Sequence, residues 1–137
     1  MPNPAPASQE GEGSSQPRVL LVDDNPEILR LVAALLTPAC LVVGTLTNGV
    51  EGLRVVRTLN PDVVVLDVSM PDITGFEVAR RLRDDGCAVA IVFLSMHDDE
   101  DLIQAASALD AAYVLKTHMM TLLPAVLAAY RAVRSGT

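Results

Sequence analysis

The sequence has very few aromatic residues: it contains two Phe, two Tyr and no Trp. Half of its residues are nevertheless hydrophobic, so a core can form, but it has to be built from Val, Leu, Ile and Ala. The length of 137 residues suits one domain. The composition therefore predicts a single domain with an aliphatic core.

Positive charge is scarce as well. Ten Lys and Arg residues stand against 17 Asp and Glu residues, which gives a formal net charge of −7. A negatively charged surface repels nucleic-acid phosphates and anionic lipid headgroups. We therefore expect no direct binding to nucleic acid or to a membrane, and we expect other proteins as partners.

Cysteines and long apolar runs are also few. Cys40 and Cys87 lie in apolar stretches and indicate free thiols in a reducing compartment, not a disulfide framework. The apolar runs are far shorter than the roughly 18 residues of a membrane span, and the N-terminus lacks the features of a secretory signal. These absences favour a cytoplasmic protein.

The N-terminal residues 1–17 hold almost no side chains that a core could bury. They are rich in Pro, Gly, Ser, Gln and Glu, a composition typical of a disordered tail. We expect the folded domain to span residues 18–137, with no second domain after Thr137.

From Arg18 onward, short apolar runs alternate with segments of helical periodicity. The runs suit strands buried on both faces, at residues 19–22, 41–43, 63–66, 88–94 and 111–115, and a helical pattern follows each of them. This alternation predicts an α/β fold with a parallel sheet between two helical layers. The common arrangement of five such units is the flavodoxin-like (βα)5 three-layer sandwich, with strand order 2-1-3-4-5.

Polar residues follow four of the predicted strands at the point where each strand ends. Asp23 and Asp24 follow the first strand, Asp67 the third, Ser95 the fourth and Lys116 the fifth. Open parallel sheets bind ligands at the carboxyl ends of their strands, beside the point where the strand order reverses. Because strands 1 and 3 are neighbours in this order, the three aspartates are expected to converge.

The converging residues suit one kind of chemistry. Carboxylates in one crevice repel each other, and Mg²⁺ with oxygen ligands would offset that repulsion. Asp67 as nucleophile, Lys116 as a fixed cation and Ser95 as hydroxyl donor would complete a phosphoryl-transfer site. Taken singly, such residues are more often turn aspartates, helix caps or surface lysines, so the prediction depends on their conjunction.

The motifs at these strand ends resemble those of a known family. They are Leu-Leu-Val-Asp-Asp-Asn at residues 20–25, Asp-Val-Ser-Met-Pro-Asp-Ile-Thr-Gly at 67–75, Phe-Leu-Ser at 93–95 and Tyr-Val-Leu-Lys at 113–116. Residues 18–134 resemble the receiver domains of two-component response regulators, and residues 94–100 are similar to receivers of regulators with helix-turn-helix output domains. The Asp-x-x-Met-Pro-x-x-x-Gly run is highly specific.

The resemblance implies a metal site and a phosphoacceptor. Asp67 would accept the phosphoryl group. Asp24 would bind Mg²⁺ directly and Asp23 through water, and Ser69 would offer its backbone carbonyl to the metal. The domain would be a signalling phosphoacceptor that assists its own phosphotransfer and dephosphorylation, and not an enzyme with a separate substrate.

The resemblance also implies a switch and its partners. Ser95 and Lys116 would contact the phosphoryl group, and Tyr113 would turn inward when Ser95 moves. The surface of the fourth helix, fifth strand and fifth helix would carry the signal and offers a route to homodimers. The phosphoryl donor would be a sensor histidine kinase or a histidine phosphotransfer protein.

Three positions depart from the family pattern. Thr117 replaces the proline that usually follows the lysine in a cis bond, so we expect Lys116 to be aimed less tightly. Met96 replaces a small residue and is expected to overhang the phosphate pocket, while His97 is interpreted as a solvated loop residue. The turn at residues 108–112 has no glycine and is expected to be shaped differently.

Other functions remain open from the residues alone. The main alternative is a degenerate receiver that acts as a phosphorylation-independent protein-interaction module. An aspartate-nucleophile phosphatase would need an acidic residue where Ser69 stands. A flavin-binding electron carrier would need a phosphate loop in place of the acidic residues 23–24, and more aromatic partners than the chain has.

Overall fold

The computed structural model describes residues 16–135, and in them strands and helices alternate. A short 3-10 helix, Lys116–Thr121, joins the last strand to the last helix. The elements in chain order are β1 (Arg18–Val22), α1 (Pro26–Leu36), β2 (Leu41–Leu46), α2 (Gly49–Leu59), β3 (Val63–Asp67), α3 (Gly75–Asp84), β4 (Ala90–Ser95), α4 (Glu100–Ala108), β5 (Ala111–Leu115) and α5 (Leu122–Ser135).

The five strands form one parallel sheet in the order β2-β1-β3-β4-β5. This arrangement confirms the predicted flavodoxin-like fold with strand order 2-1-3-4-5. The fourth strand begins at Ala90, two residues later than predicted, because Ala88 and Val89 lie in the preceding loop. The predicted disordered tail falls outside the described residues except for Gln16 and Pro17; the carbonyl of Pro17 accepts a hydrogen bond of 2.9 Å from the amide of Leu41.

Alternate residues of the buried strands supply two separate cores. Val63 and Val65 of β3 face α1 and α5, whereas Val64 and Leu66 face α2 and α3. All residues of β3 and β4 are buried, as expected for strands covered on both faces. This packing fixes the position of the central strands between the helical layers. The side chains at their carboxyl ends therefore lie at one edge of the sheet.

Polar side chains cap the helices that begin at this edge. Asn25 accepts a hydrogen bond from the amide of Glu27, and Thr74 accepts one from Glu77. Such caps satisfy N–H groups that the helix itself leaves without partners. No helix within residues 16–135 is both long and apolar enough to cross a membrane.

The turn before β5, which has no glycine, contains a residue in the left-handed backbone conformation; a shape that differs from the family's stays a prediction. Asp110 adopts the left-handed conformation with φ of 56°, which is the conformation that a glycine would supply. Aspartate tolerates this region better than most residues. The guanidinium of Arg83 also holds this turn, since it donates hydrogen bonds to the carbonyls of Leu109 (2.9 Å) and Asp110 (3.3 Å).

Candidate functional site

Three aspartates meet at the carboxyl edge of the sheet. Asp67 ends β3 and Asp23 follows β1, and these strands pair so that Val22 lies opposite Leu66. Carboxylate oxygens of Asp23, Asp24 and Asp67 lie within 4.8 Å of one another. Asp23 and Asp67 are only 2% and 3% exposed, whereas Asp24 is exposed. The structure therefore brings these acidic residues together as the strand order predicts.

Lys116 reaches this cluster from the end of β5. Its ammonium lies 2.9 Å from Oδ2 of Asp23 and 3.3 Å from Oδ1 of Asp67. Thr117 therefore does not prevent Lys116 from contacting both aspartates, and a looser aim of its side chain stays a prediction. Among residues 16–135 the one cis peptide bond joins Thr37 and Pro38, so the Lys116–Thr117 bond is trans and the ammonium nevertheless contacts both carboxylates.

The site holds more negative than positive charge. Burial, followed by the neighbouring charge of Asp23, raises the pKa of Asp67 to about 6, although Lys116 and the Ser69 amide act in the opposite direction. Burial alone would lower the pKa of Lys116, but its close contact with Asp23 and the charges of both aspartates raise it above its ordinary value. One ammonium thus does not fully compensate the buried carboxylates.

The oxygens of the two buried carboxylates are used unequally. Oδ1 of Asp23 accepts a hydrogen bond from the amide of Asn25 (2.9 Å), and Oδ1 of Asp67 accepts one from Ser69 (3.3 Å). Oδ2 of Asp67 accepts no hydrogen bond from the described residues, and Oδ2 of Asp23 has Lys116 nearby but receives no well-directed hydrogen bond from them. Buried oxygens without donors are costly, and an all-oxygen donor set of this kind fits Mg²⁺.

Ser95 and Tyr113 are connected through the backbone of His97. Ser95 ends β4, is 2% exposed, and its hydroxyl oxygen accepts a hydrogen bond from the His97 amide (3.0 Å). The hydroxyl of Tyr113, a half-buried residue of β5, donates to the His97 carbonyl (2.7 Å). Sequence reasoning considered only the side chain of His97 and missed this role of its backbone, for which the sequence carries no signal.

Gly75, the last residue of the motif at residues 67–75, allows the start of α3 to lie close to the backbone of Asp67. Its amide donates a 2.9 Å hydrogen bond to the carbonyl of Val68. A Cβ at Gly75 would lie 2.3 Å from the carbonyl oxygen of Asp67, which is well inside contact distance. Glycine is therefore required where α3 begins beside the aspartate.

Asp72 is a second residue that sequence reasoning missed. Its carboxylate accepts hydrogen bonds from the amides of Gly49 (3.1 Å) and Val50 (2.8 Å) at the start of α2. Burial would raise the pKa of Asp72, but these amides outweigh it and hold the pKa below its ordinary value. The partners lie more than 20 residues away along the chain, so the spacing of the motif could not reveal them.

Met96 lies next to Ser95 on the loop that follows β4. Its side chain is prominent on the surface, because the residue is 63% exposed. This position is compatible with a side chain at the rim of the site, and its effect on the phosphate pocket stays a prediction.

Several curated proteins are similar to this chain. The nitrate/nitrite response regulator protein NarL of Escherichia coli K12 is 34% identical over 101 residues, which cover 72% of this chain and 47% of that protein. The transcriptional regulatory protein KdpE of Mycobacterium tuberculosis H37Rv is 39% identical over 98 residues, covering 72% and 43%. A protein-glutamate methylesterase/protein-glutamine glutaminase of Nocardioides is 40% identical over 96 residues, covering 69% and 26%. The chain spans less than half the length of each.

Solved structures of response regulators are also similar to this chain. A two-component response regulator of the LuxR family from Aurantimonas superposes with a TM-score of 0.81 and 30% identity, covering 86% of this chain and 87% of that one. The signal receiver domain of the putative response regulator NarL from Mycobacterium tuberculosis gives a TM-score of 0.79 and 27% identity, covering 85% and 97%.

A family model described as the response regulator receiver domain matches residues 19–127, which is most of the chain. Receiver domains are signalling modules that interact with histidine kinases or phosphotransfer proteins and bind Mg²⁺ at an acidic pocket. In this chain Asp23, Asp24 and Asp67 form an acidic cluster. The chain therefore belongs to the receiver domain family of two-component response regulators.

Proposed function

We propose that this receiver domain accepts a phosphoryl group on Asp67 from the phosphohistidine of a sensor histidine kinase or histidine phosphotransfer protein. The observation that carries the proposal is the buried Oδ2 of Asp67, which accepts no hydrogen bond from the described residues and lies in a cluster with Asp23, Asp24 and Lys116. Such an oxygen is available both to a metal and to an electrophile.

The residues that would hold Mg²⁺ are those of the acidic cluster. Asp24 and Asp67 would bind the ion directly, Asp23 through water, and Ser69 through its backbone carbonyl. The bound ion supplies positive charge that compensates the carboxylates and the incoming phosphoryl oxygens. The observed excess of buried negative charge supports this assignment.

The transfer itself forms one bond and breaks another. A carboxylate oxygen of Asp67 attacks phosphorus, and the P–N bond of the donor histidine breaks with its electron pair passing to the imidazole nitrogen. Lys116 offers an ammonium to the phosphoryl oxygens. With a pKa of about 6, Asp67 is largely ionised at neutral pH and can act as the nucleophile.

Ser95 would link the new phosphoryl group to the signalling surface. Its oxygen already accepts a hydrogen bond from the His97 amide, which leaves its own hydrogen free to donate to a phosphoryl oxygen. Phosphorylation adds about −1.5 to −2 charges. Movement of Ser95 toward this charge would displace His97, and with it the acceptor to which Tyr113 is bonded.

The proposed output is the surface of α4, β5 and α5, which also offers a route to homodimers. α4, which follows the loop after β4, is weakly held. Ala106 is its buried residue, and its N-cap Asp99 makes no side-chain cap hydrogen bond within the described residues. A lightly packed helix can change position at low cost in free energy. A cytoplasmic location and the absence of direct nucleic-acid binding stay predictions.

The proposal is tested by intact-mass spectrometry after incubation with Mg²⁺ and acetyl phosphate, and in parallel with a phosphorylated histidine kinase. We expect one added phosphoryl group on the wild type and none on Asp67→Asn. An unmodified wild type with both donors would contradict the proposal and favour a degenerate receiver. No observation in the described residues favours that alternative, since Asp67 and Lys116 are both present and in contact.

A further inference from the structure

We infer that Asp72 is a positioning residue for the metal site: by capping α2 it holds the loop that carries Ser69 in place. The loop comprises residues 68–74 and joins β3 to α3. The inference rests on the proposed function, because Ser69 is the proposed backbone ligand of Mg²⁺. It goes further in giving a role to a residue that touches neither the metal nor the phosphoryl group.

The contacts of Asp72 cross from the loop to a different helix. Its two carboxylate oxygens accept hydrogen bonds from the first two amides of α2, those of Gly49 (3.1 Å) and Val50 (2.8 Å). The third amide, of Glu51, donates to the side chain of Asn48 (2.8 Å). Asp72 and Asn48 together satisfy N–H groups that a helix start leaves open. Of these two capping residues, Asp72 is the one that belongs to the loop, so its hydrogen bonds join the loop to the start of α2.

Side-chain packing brings the same two segments together. A Cβ at Gly49 would lie 2.9 Å from Cγ1 of Ile73 and 3.2 Å from Cε of Met70, so the loop lies directly against the first turn of α2. Met70 is only 8% exposed. Asp72 stands between these two loop residues and adds directed hydrogen bonds to an apolar contact.

The loop is also held at its two ends. The amide of Val68 donates to the carbonyl of Leu94 (3.3 Å), and the amide of Gly75 donates to the carbonyl of Val68 (2.9 Å). Ser69 follows Val68 directly and lies three residues before Asp72. Release of Asp72 would leave the middle of the loop with its apolar contact only, so the orientation of the Ser69 carbonyl would become less fixed.

Substitution of a residue that orients a metal ligand changes the affinity of the protein for the metal, although that residue does not contact the metal. A residue that merely stabilises α2 would change the unfolding temperature and leave the affinity of the folded protein unaltered. Asn48 makes that distinction possible, because it caps the same helix end and lies outside the loop. The variant Asn48→Ala is therefore a matched control.

The experiment is calorimetric titration of the full chain with MgCl₂ at a temperature well below unfolding. We expect Asp72→Ala to weaken Mg²⁺ binding about tenfold and Asn48→Ala to leave the affinity unchanged. Asp72→Asn loses the same charge but keeps one acceptor oxygen, so its affinity should fall between those of the wild type and Asp72→Ala. Hydrogen exchange without metal should show faster exchange at Ser69 and Met70 in Asp72→Ala.

The possible failures can be told apart. Unchanged Mg²⁺ affinity in Asp72→Ala overturns the inference, and so does an equal loss in Asn48→Ala, which would show that the effect passes through α2 and not through the loop. Equal losses in Asp72→Asn and Asp72→Ala would assign the effect to charge alone and also overturn it. A wild type that does not bind Mg²⁺ contradicts the proposed metal site itself.

Discussion

Tyr113 and Ser95 both form a hydrogen bond with the backbone of His97. The Tyr113 hydroxyl donates to the His97 carbonyl (2.7 Å), and the His97 amide donates to the Ser95 hydroxyl oxygen (3.0 Å). Ser95 lies at the site and Tyr113 on the adjoining strand β5. A displacement of either end therefore changes the hydrogen bonding at the other. Under the proposed function, this connection would carry the effect of a charge added at Asp67 to the surface formed by α4 and β5.

Removing the Tyr113 hydroxyl should interrupt this connection. In Tyr113→Phe the ring remains but the bond to His97 is lost, which we expect to cost about 0.5–1 kcal/mol of stability. Asp67 should still be phosphorylated, while the phosphorylation-induced shifts of α4 amides in NMR spectra should shrink. Tyr130→Phe in α5 is the control and should behave like the wild type. Undiminished α4 shifts in Tyr113→Phe would show that the hydroxyl is not needed.

The raised pKa of Asp67 predicts how stability depends on pH when no divalent cation is present. The pKa is about 4 in the unfolded chain and about 6 in the folded one. Between these values the folded state binds more protons than the unfolded state, so the contribution of Asp67 to stability falls as pH rises from 4 to 6 and then levels off.

Asp67→Asn isolates this contribution from that of other carboxyl groups, whose pKa values are lowered and whose contributions change in the opposite direction. In urea unfolding with EDTA we expect the variant to match the wild type near pH 4 and to be about 1–3 kcal/mol more stable at pH 7. Added Mg²⁺ should reduce the difference. A difference that does not change with pH would contradict the assigned cause.

The titration of Lys116 can be followed by NMR without ambiguity, because it is the only lysine in the sequence. A protein labelled with ¹⁵N-lysine should therefore give one side-chain signal. We expect it to titrate above the ordinary value of about 10.4, since the nearby aspartates raise the pKa of Lys116. In Asp67→Asn the titration should move toward that ordinary value. Identical titrations in both proteins would contradict the observed contact with Asp67.

Gly75 and Gly86 provide a matched pair of substitutions. Gly75→Ala places a Cβ against the Asp67 carbonyl, which should cost about 1–3 kcal/mol and slow phosphorylation about ten- to hundredfold. Gly86 has φ of 80° with open space around it, so Gly86→Ala should cost about 1 kcal/mol and leave phosphorylation unaltered. Equal rates of phosphorylation in the two variants would show that the close approach at Gly75 does not matter.

Met96 is expected to shield the phosphoryl group from water. Met96→Ala should therefore shorten the lifetime of the phosphorylated protein by a factor of about 2–10, as followed by intact mass over time. Met120→Ala, which truncates another exposed methionine on the 3-10 helix after β5, is the control. An unchanged lifetime in Met96→Ala would refute the shielding role.

The strands could be predicted from local patterns, and their order from the arrangement that is common for five such units. Apolar runs such as residues 63–66 indicated buried strands, and the polar residues that follow four of these runs indicated the carboxyl edge of the sheet. Strand order then placed Asp23 beside Asp67.

Contacts made by the backbone could not be predicted in this way. The roles of His97 and Asp72 depend on peptide groups that only the folded chain brings near. The left-handed conformation of Asp110 and the contact of Lys116 with Asp23 also depend on the surrounding structure. In both, the expectation followed the type of a single residue, whereas the surrounding structure determined the geometry.

The most direct test is to locate the phosphoryl group and its dependence on Mg²⁺ together. The protein would be incubated with a phosphorylated histidine kinase, with MgCl₂ or with EDTA, and the modified residue identified by peptide mass spectrometry. We expect modification of Asp67 alone, and only when Mg²⁺ is present. A phosphoryl group on Asp23 or Asp24, or equal labelling of Asp67 in EDTA, would contradict the assignment of one nucleophile and one metal site.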